Sequence, residues 1–154
     1  MSHTHAGAED WAELAADELA RAGYRRGGAR AAVIELLDRQ GCALSAVEIE
    51  SALAETGARA VARASVYRIL EELEELGLLT RLELGQGLAR FEPARPGGHH
   101  HHMVCNRCGQ IIPFEDEGLE RSIERLARTS AFEVDEHDVV LRGSCARCCR
   151  VTPA

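Results

Sequence analysis

The chain has 154 residues, 45% of them hydrophobic and 28% charged, with a formal net charge of -7. That composition excludes intrinsic disorder and fibrous repeats, and the length suits one domain or two small ones. No run approaches the ~18 consecutive apolar residues of a membrane span. The first residues, with His3, His5, Glu9 and Asp10, show no basic stretch followed by an apolar run, so a cytoplasmic protein without contact to a membrane is expected.

Taken in chain order, Trp11, Leu14, Ala15, Glu18 and Leu19 recur at helical spacing and predict a first helix ending near Gly23. A second helix is expected over Arg30 to Arg39, with Val33, Ile34 and Leu37 on one face and Gly41 as its stop. Ser45-Ala-Val-Glu48 has the pattern of a capping box, in which the hydroxyl and the carboxylate each satisfy an orphan helix N–H; a third helix follows to Gly57. A fourth is expected from Arg63 to Ser65 through Val66, Ile69, Leu70, Leu73 and Leu76 to Gly77, with the glutamates of Glu71 to Glu75 on its outer side. Leu78 to Leu84, a turn at Gly85-Gln-Gly87 and Leu88 to Phe91 read as a hairpin. Helices followed by a short antiparallel ribbon are the layout of a winged helix-turn-helix.

The breaker-rich Pro-Ala-Arg-Pro-Gly-Gly at 93–98 then reads as a hinge. Beyond it, Met103-Val104, Gln110 to Phe114, Phe132 to Val134 and Val139 to Arg142 are expected as short strands and Leu119 to Leu126 as an amphipathic helix. The fold class is therefore α+β: a winged helix-turn-helix unit over 1–92 with its N-terminal helix, the hinge at 93–98, and a small α+β unit over 99–154.

Charge gives a mixed signal about partners. The net acidity argues against nucleic acid, yet Arg21 to Arg68 carries eight arginines against five acids, a local excess of three positive charges. Arg68 and Tyr67 fall near the start of the fourth helix, where a recognition helix meets base edges: Arg suits guanine, and an aromatic ring packs on a thymine methyl. The plainer alternative makes Tyr67 a core residue and Arg68 a surface ion pair.

The cysteines suggest metal. Cys105-Asn-Arg-Cys108 and Cys145-Ala-Arg-Cys148 supply four thiols in two turns, the number and softness that suit tetrahedral zinc, with Cys149 able to replace Cys148. A redox-active C-x-x-C is the rival, but such a motif works as a single pair. His99 to His102 are four consecutive histidines; in an extended chain their side chains alternate, His99 and His101 on one side, His100 and His102 on the other. One strand can thus serve two metal ions, with Glu120, His137 and Glu92 as candidates for the remaining ligands.

These residues together resemble the ferric uptake regulator family of bacterial metal-responsive repressors, over nearly the whole chain after residue 20. Ala64-Ser-Val-Tyr-Arg-Ile-Leu70 is similar to the family's recognition helix, His99-His-His-His-Met-Val-Cys-Asn-Arg-Cys-Gly109 to its H-H-x-H-x-x-C-x-x-C-G signature, and Ser144 to Cys148 to its closing pair. The resemblance implies a DNA-binding N-terminal half, a dimerisation domain behind it, and a homodimer that reads a palindromic double-stranded operator when loaded with metal. It implies DNA contacts for Arg25 (minor groove), Arg63 and Ser65 (phosphates) and Tyr67 and Arg68 (bases). It further implies a structural zinc on Cys105, Cys108, Cys145 and Cys148, an inner metal site of His99, His101, Glu120 and His137, and a hinge sensory site of Glu92, His100 and His102.

The hinge site departs from the family's pattern. Where iron sensors add a histidine, this chain has Cys42, which could complete the set, and a later acid falls on Pro113; Gly27 also replaces a helix-capping Thr. His101 stands where iron-type members commonly have an acid. Three imidazoles and a carboxylate suit tetrahedral zinc, so the zinc uptake regulator branch is expected, with zinc or iron(II) at the regulatory sites. An iron-responsive or peroxide-sensing repressor uses the same residues. Two rivals from other classes, a zinc hydrolase with Glu120 as base and a purely structural zinc-ribbon adaptor, leave the Tyr67–Arg68 helix without a role.

Overall fold

The computed structural model describes residues 10–40, 43–57, 61–85, 87–95 and 99–148, and the chain divides into two units, Met1–Gly98 and His99–Ala154. In unit 1, helices α1 (Trp11–Arg21), α2 (Gly28–Arg39), α3 (Ala46–Glu55) and α4 (Arg63–Glu75) precede strands β2 (Leu79–Leu82) and β3 (Arg90–Pro93). A two-residue strand β1 (Leu44–Ser45), which sequence periodicity is too short to reveal, pairs antiparallel with β3, so the wing is a three-stranded sheet in the order β1-β3-β2.

Each helix starts and stops for a local reason. Asp10 caps α1 by accepting from the Ala12 N–H, and Ser45 and Glu48 form both halves of the expected capping box at α3. α4 ends on Gly77 at φ 69°, where the Leu78 and Gly77 N–H groups donate to Leu73 and Glu74, a closure that needs the left-handed conformation glycine adopts without strain. Trp11, Leu19, Val33, Leu37, Ile49, Val66, Leu70 and Leu73 from the four helices meet in one core with Leu79 and Phe91 of the wing. The Trp11 indole N–H donates to the buried Leu78 carbonyl at 3.0 Å, so the one polar atom of that side chain is satisfied inside.

Two expectations for unit 1 need correction. Glu72 points inward, 7% exposed, rather than sharing the outer side of α4, because Arg30 of α2 meets it with two hydrogen bonds of 2.8 and 2.9 Å. Pro93 closes β3 opposite Leu79, Ala94 donates to Leu78, and Arg95 bonds Asp38 of α2 at 2.9 Å, so residues 93–95 of the expected hinge are bound to unit 1. Gly41, Cys42 and residues 96–98 lie outside the described residues.

Unit 2 holds β4 (His101–Cys105), β5 (Ile111–Phe114), α5 (Glu117–Thr129) and β6 (Val140–Gly143) in a sheet ordered β5-β4-β6, with β4 antiparallel to β5 and parallel to β6. Pro113 sits on the edge strand β5, where a missing N–H is tolerated. The expected strand at Phe132 to Val134 does not form. α5 ends with Ala131 at φ 49°, and the Phe132 N–H donates to Ala127, which commits Phe132 to the helix terminus. Among the described residues, no helix is long and apolar enough to cross a membrane.

Candidate metal centres and nucleic-acid interface

The parallel register of β4 and β6 explains how two distant C-x-x-C turns meet. Cys105 is the last residue of β4 and faces Gly143, the last of β6, so both chains turn at the same end of the sheet. Asn106 donates to Gly143 and Cys148 to Cys145, and Cys108 and Cys145 come within 3.7 Å, sulfur to sulfur. Four sulfurs around zinc at the usual ~2.3 Å stand about 3.8 Å apart, so the spacing already suits the ion. All four are free thiols, and their sulfur atoms lie within 4.8 Å of one another.

Proton sharing sets the charge of this group. The Cys145 N–H donates to the Cys105 sulfur at 3.3 Å and, with further N–H groups from the Cys108 turn, brings the Cys105 thiol down to about 6. Cys145 is also lowered, first by the Cys148 N–H, whereas Cys148 is pushed up to about 12 because its thiol proton is shared with Cys145. Backbone N–H groups that lower the Cys105 and Cys145 thiols favour the binding of a soft divalent cation, since a thiol must lose its proton to ligate.

The second group lies in the same unit. His99 Nε2 is 3.0 Å from His137 Nε2, His101 Nε2 is 2.7 Å from Glu120 Oε1, and His137 Nε2 is 3.0 Å from Glu120 Oε2. Nitrogen and oxygen ligands at ~2.0 to 2.1 Å from a tetrahedral ion are separated by about 3.3 Å, so an ion would need these side chains to part by only a few tenths of an ångström. His101 is 1% exposed; its Nδ1 accepts from the Val139 N–H at 3.3 Å and its Nε2 is hydrogen-bonded to Glu120. Glu120 enters from the first turns of α5, and its carboxyl is held below the ordinary range mainly by that bond and by the three nearby imidazoles. Three imidazoles packed on one carboxylate, one of them buried, are a costly arrangement in a small unit unless something draws them together.

Strand alternation separates the other two histidines as expected. The His100 and His102 rings meet edge to face at 4.9 Å, and His102 is buried. Glu92 lies on β3 of unit 1, opposite Thr80. Cys42 and Cys149 fall outside the described residues.

On α4, the buried face of Val66, Ile69, Leu70 and Leu73 turns Ala64, Tyr67, Arg68 and Glu71 outward. Tyr67 is 43% exposed, which rules out the core alternative for it. Ser65 sits half-buried in the first turn, and Arg63 bonds Glu50 of α3 at 2.6 Å. Arg25 is exposed in the connection between α1 and α2, and Gly27 caps α2 without any side-chain bond. The residue that sequence reasoning missed is Glu72. Its place beside Leu73 and three residues after Ile69, in the buried phase of the helix, was the available signal.

The sequence profile of the ferric uptake regulator family matches residues 21–142. The chain belongs to the ferric uptake regulator family. The ferric uptake regulation protein of Bordetella parapertussis is 38% identical over 85 residues, which are 55% of this chain and 60% of that relative. That of Pseudomonas aeruginosa is 37% identical over 125 residues, 80% of this chain and 92% of its own. Among solved structures, the Helicobacter pylori ferric uptake regulator, described with three functional metal-binding sites, superposes with a TM-score of 0.81 at 28% identity, covering 94% of this chain and 95% of that one. The family consists of metal-responsive transcription regulators, not enzymes, which removes the hydrolase reading, and its structures share an N-terminal DNA-binding domain and a dimerisation domain.

Proposed function

We propose that this protein is a zinc-responsive repressor of metal-uptake genes, a homodimer that binds a palindromic DNA operator when metal-loaded. The observation that carries the zinc reading is the convergence of His99, His101 and His137 with Glu120, three imidazoles and one carboxylate whose ligand atoms lie within 4.8 Å of one another. The donor set fits, since it lacks the second carboxylate or oxygen-rich surroundings that harder cations favour. Cys105, Cys108, Cys145 and Cys148 form the structural zinc site. A bound divalent ion supplies, at each group, the bond energy that offsets bringing these side chains together.

The chain's own residues do the rest. Tyr67 and Arg68 present base-reading groups on the exposed face of α4, Ser65 and Arg63 lie at its start for phosphate contact, and Arg25 reaches the minor groove. Glu92, His100 and His102, a set that Cys42 could complete, are the sensory ligands on either side of the connection that follows Arg95; engaging them favours the arrangement of the DNA-binding halves that fits the operator, a shift of population between states. The dimer is supported by apolar side chains that a lone unit 2 leaves in water, among them Met103, Ile112 and Leu141 on the sheet and Leu126 and Phe132 of the α5 region.

The test is anisotropy of a labelled operator duplex at fixed salt, titrated with protein at buffered free zinc and, anaerobically, at buffered iron(II). Tight binding switched on by low free zinc, with iron needed in large excess, is the expected result; switching by iron alone overturns the choice of metal, and indifference to both overturns the sensory role. Replacing His100 and His102 by Ala is expected to abolish the metal dependence while the dimer persists.

A further inference from the structure

Arg30 makes contacts that neither metal binding nor base reading uses. Its Nε and Nη2 grip both carboxylate oxygens of Glu72 on α4, at 2.8 and 2.9 Å. Its Nη1 donates to the Arg25 carbonyl at 3.2 Å, and its guanidinium lies 5.3 Å from the centre of the Tyr24 ring. A guanidinium offers donors in a rigid planar fork, so bonds at both ends of that fork fix the separation of the groups it joins. One end is α4, where Arg68 stands one turn before Glu72 and Tyr67 lies further round the helix. The other is the backbone of Arg25.

That backbone has little else to hold it. The connection from Tyr24 to Gly27 has no regular structure, and Gly27 begins α2 without a side-chain cap where a Thr would supply one. Tyr24 is anchored by its N–H to Leu19, Ala31 by its N–H to Gly27 and the exposed Arg26 side chain by Asp17 of α1 at 3.3 Å, while the Arg25 carbonyl is held by Arg30. Glu72 is nearly buried, so the carboxylate is held in one place and makes a firm base for the fork. The strong hydrogen bonds to Glu72 raise the Arg30 guanidinium further above its already high range, so the tie is charged at every physiological pH.

We infer that Arg30 is a positioning residue that couples the two DNA-reading elements: anchored on Glu72 of the recognition helix, it holds the Arg25 backbone so that minor-groove and major-groove contacts are set in register. The inference rests on the reading that Arg25 and Arg68 both touch DNA. It predicts that the contribution of Arg25 to affinity exists only while Arg30 bridges the two.

The test compares the cost of Arg25→Ala in different backgrounds of the full, metal-loaded protein, on a duplex selected in vitro from random sequence by the native chain. The key background is Arg30→Met with Glu72→Met, since exchanging a buried ion pair for apolar side chains of similar volume commonly leaves stability unchanged or raised. A second is Arg30→Lys, which keeps the charge but, as a point donor, does not span Glu72 and Arg25 together. In the otherwise native chain Arg25→Ala is expected to weaken binding roughly tenfold, the size of one lost base-edge contact. In both backgrounds the same change is expected to cost less than about twofold, while melting temperature, metal content and the cost of Arg68→Ala stay as they were; a residue serving stability alone would move the melting temperature and leave the cost of Arg25→Ala intact. A cost that remains roughly tenfold in both backgrounds overturns the positioning role. No cost for Arg25→Ala in the native chain overturns the minor-groove reading of Arg25, and the inference with it, and Arg68→Ala then shows separately whether the major-groove reading stands.

Discussion

In unit 1, four helices bring Trp11, Leu37, Ile49 and Leu70 into one apolar core, whereas among the described residues of unit 2 the buried side chains are His101, His102, Val104 and Cys105. The amphipathic helix α5 buries no residue, and Leu126 and Phe132 are about two-thirds exposed. The first unit is stabilised by removing apolar area from water, the familiar driving force of folding. The second holds imidazoles and thiols inside and leaves its apolar residues outside, so its own burial is too small to hold it. On the proposed reading, its stability comes from ligands joined through metal and from a partner surface that covers the exposed apolar face.

The largest expected effect separates the units outright. Stripping metal with a strong chelator, or changing Cys105 and Cys108 to Ser, removes binding energy on the order of 10 kcal/mol from unit 2. Circular dichroism and amide exchange should show loss of β4 to β6 and of the dimer, with the helices of unit 1 retained; joint collapse of both units would break the comparison. Leu70→Ala is the converse change. It opens a cavity in the core of unit 1 at a cost of about 2 to 5 kcal/mol, read as a lowered denaturation midpoint, and should leave the metal content of the protein unchanged.

Smaller effects refine it. Arg68→Ala is expected to cost about 1 to 3 kcal/mol of operator affinity, measured by anisotropy, without altering melting or metal content, because the side chain is exposed on the outer face of α4. The smallest concerns Glu48 in unit 1. Burial raises its carboxyl, but the Ser45 N–H and Arg90 outweigh that and hold it below the usual 4.5. A lowered folded value means the stabilisation is complete above about pH 4.5 and is lost as pH falls through the folded value. Glu48→Gln should therefore cost less than about 1 kcal/mol of stability at pH 7, since the group is partly exposed, and progressively less as the pH falls below 4.5; a difference that grows in acid would contradict the assignment.

Much of this was legible in the chain because the signals are local. A capping box needs only Ser45 and Glu48 three residues apart, and the faces of α4 follow from the spacing of Val66, Ile69, Leu70 and Leu73. The Cys and His groups announced their chemistry by residue type, and alternation along a strand divided His99 and His101 from His100 and His102. Phe132 to Val134 misled because β-prone residues followed a helix whose end, at Ala131, takes an unusual left-handed conformation. Glu72 misled because an acid among acids reads as solvated surface, and only the partner on another helix turns it inward.

By itself the sequence determined the four-helix order with its wing, the thiol and imidazole clusters by residue type, and membership of a family, since each depends on spacing within one segment or on residue chemistry. The tertiary structure decided which distant groups meet: the parallel pairing of β4 with β6 that brings two C-x-x-C turns to one end of a sheet, the entry of Glu120 from α5 between His101 and His137, and the fork of Arg30 between Glu72 and Arg25. Such meetings depend on loop closure and on the fit of whole elements, which no local pattern encodes, and only the folded chain reveals which polar groups were given partners.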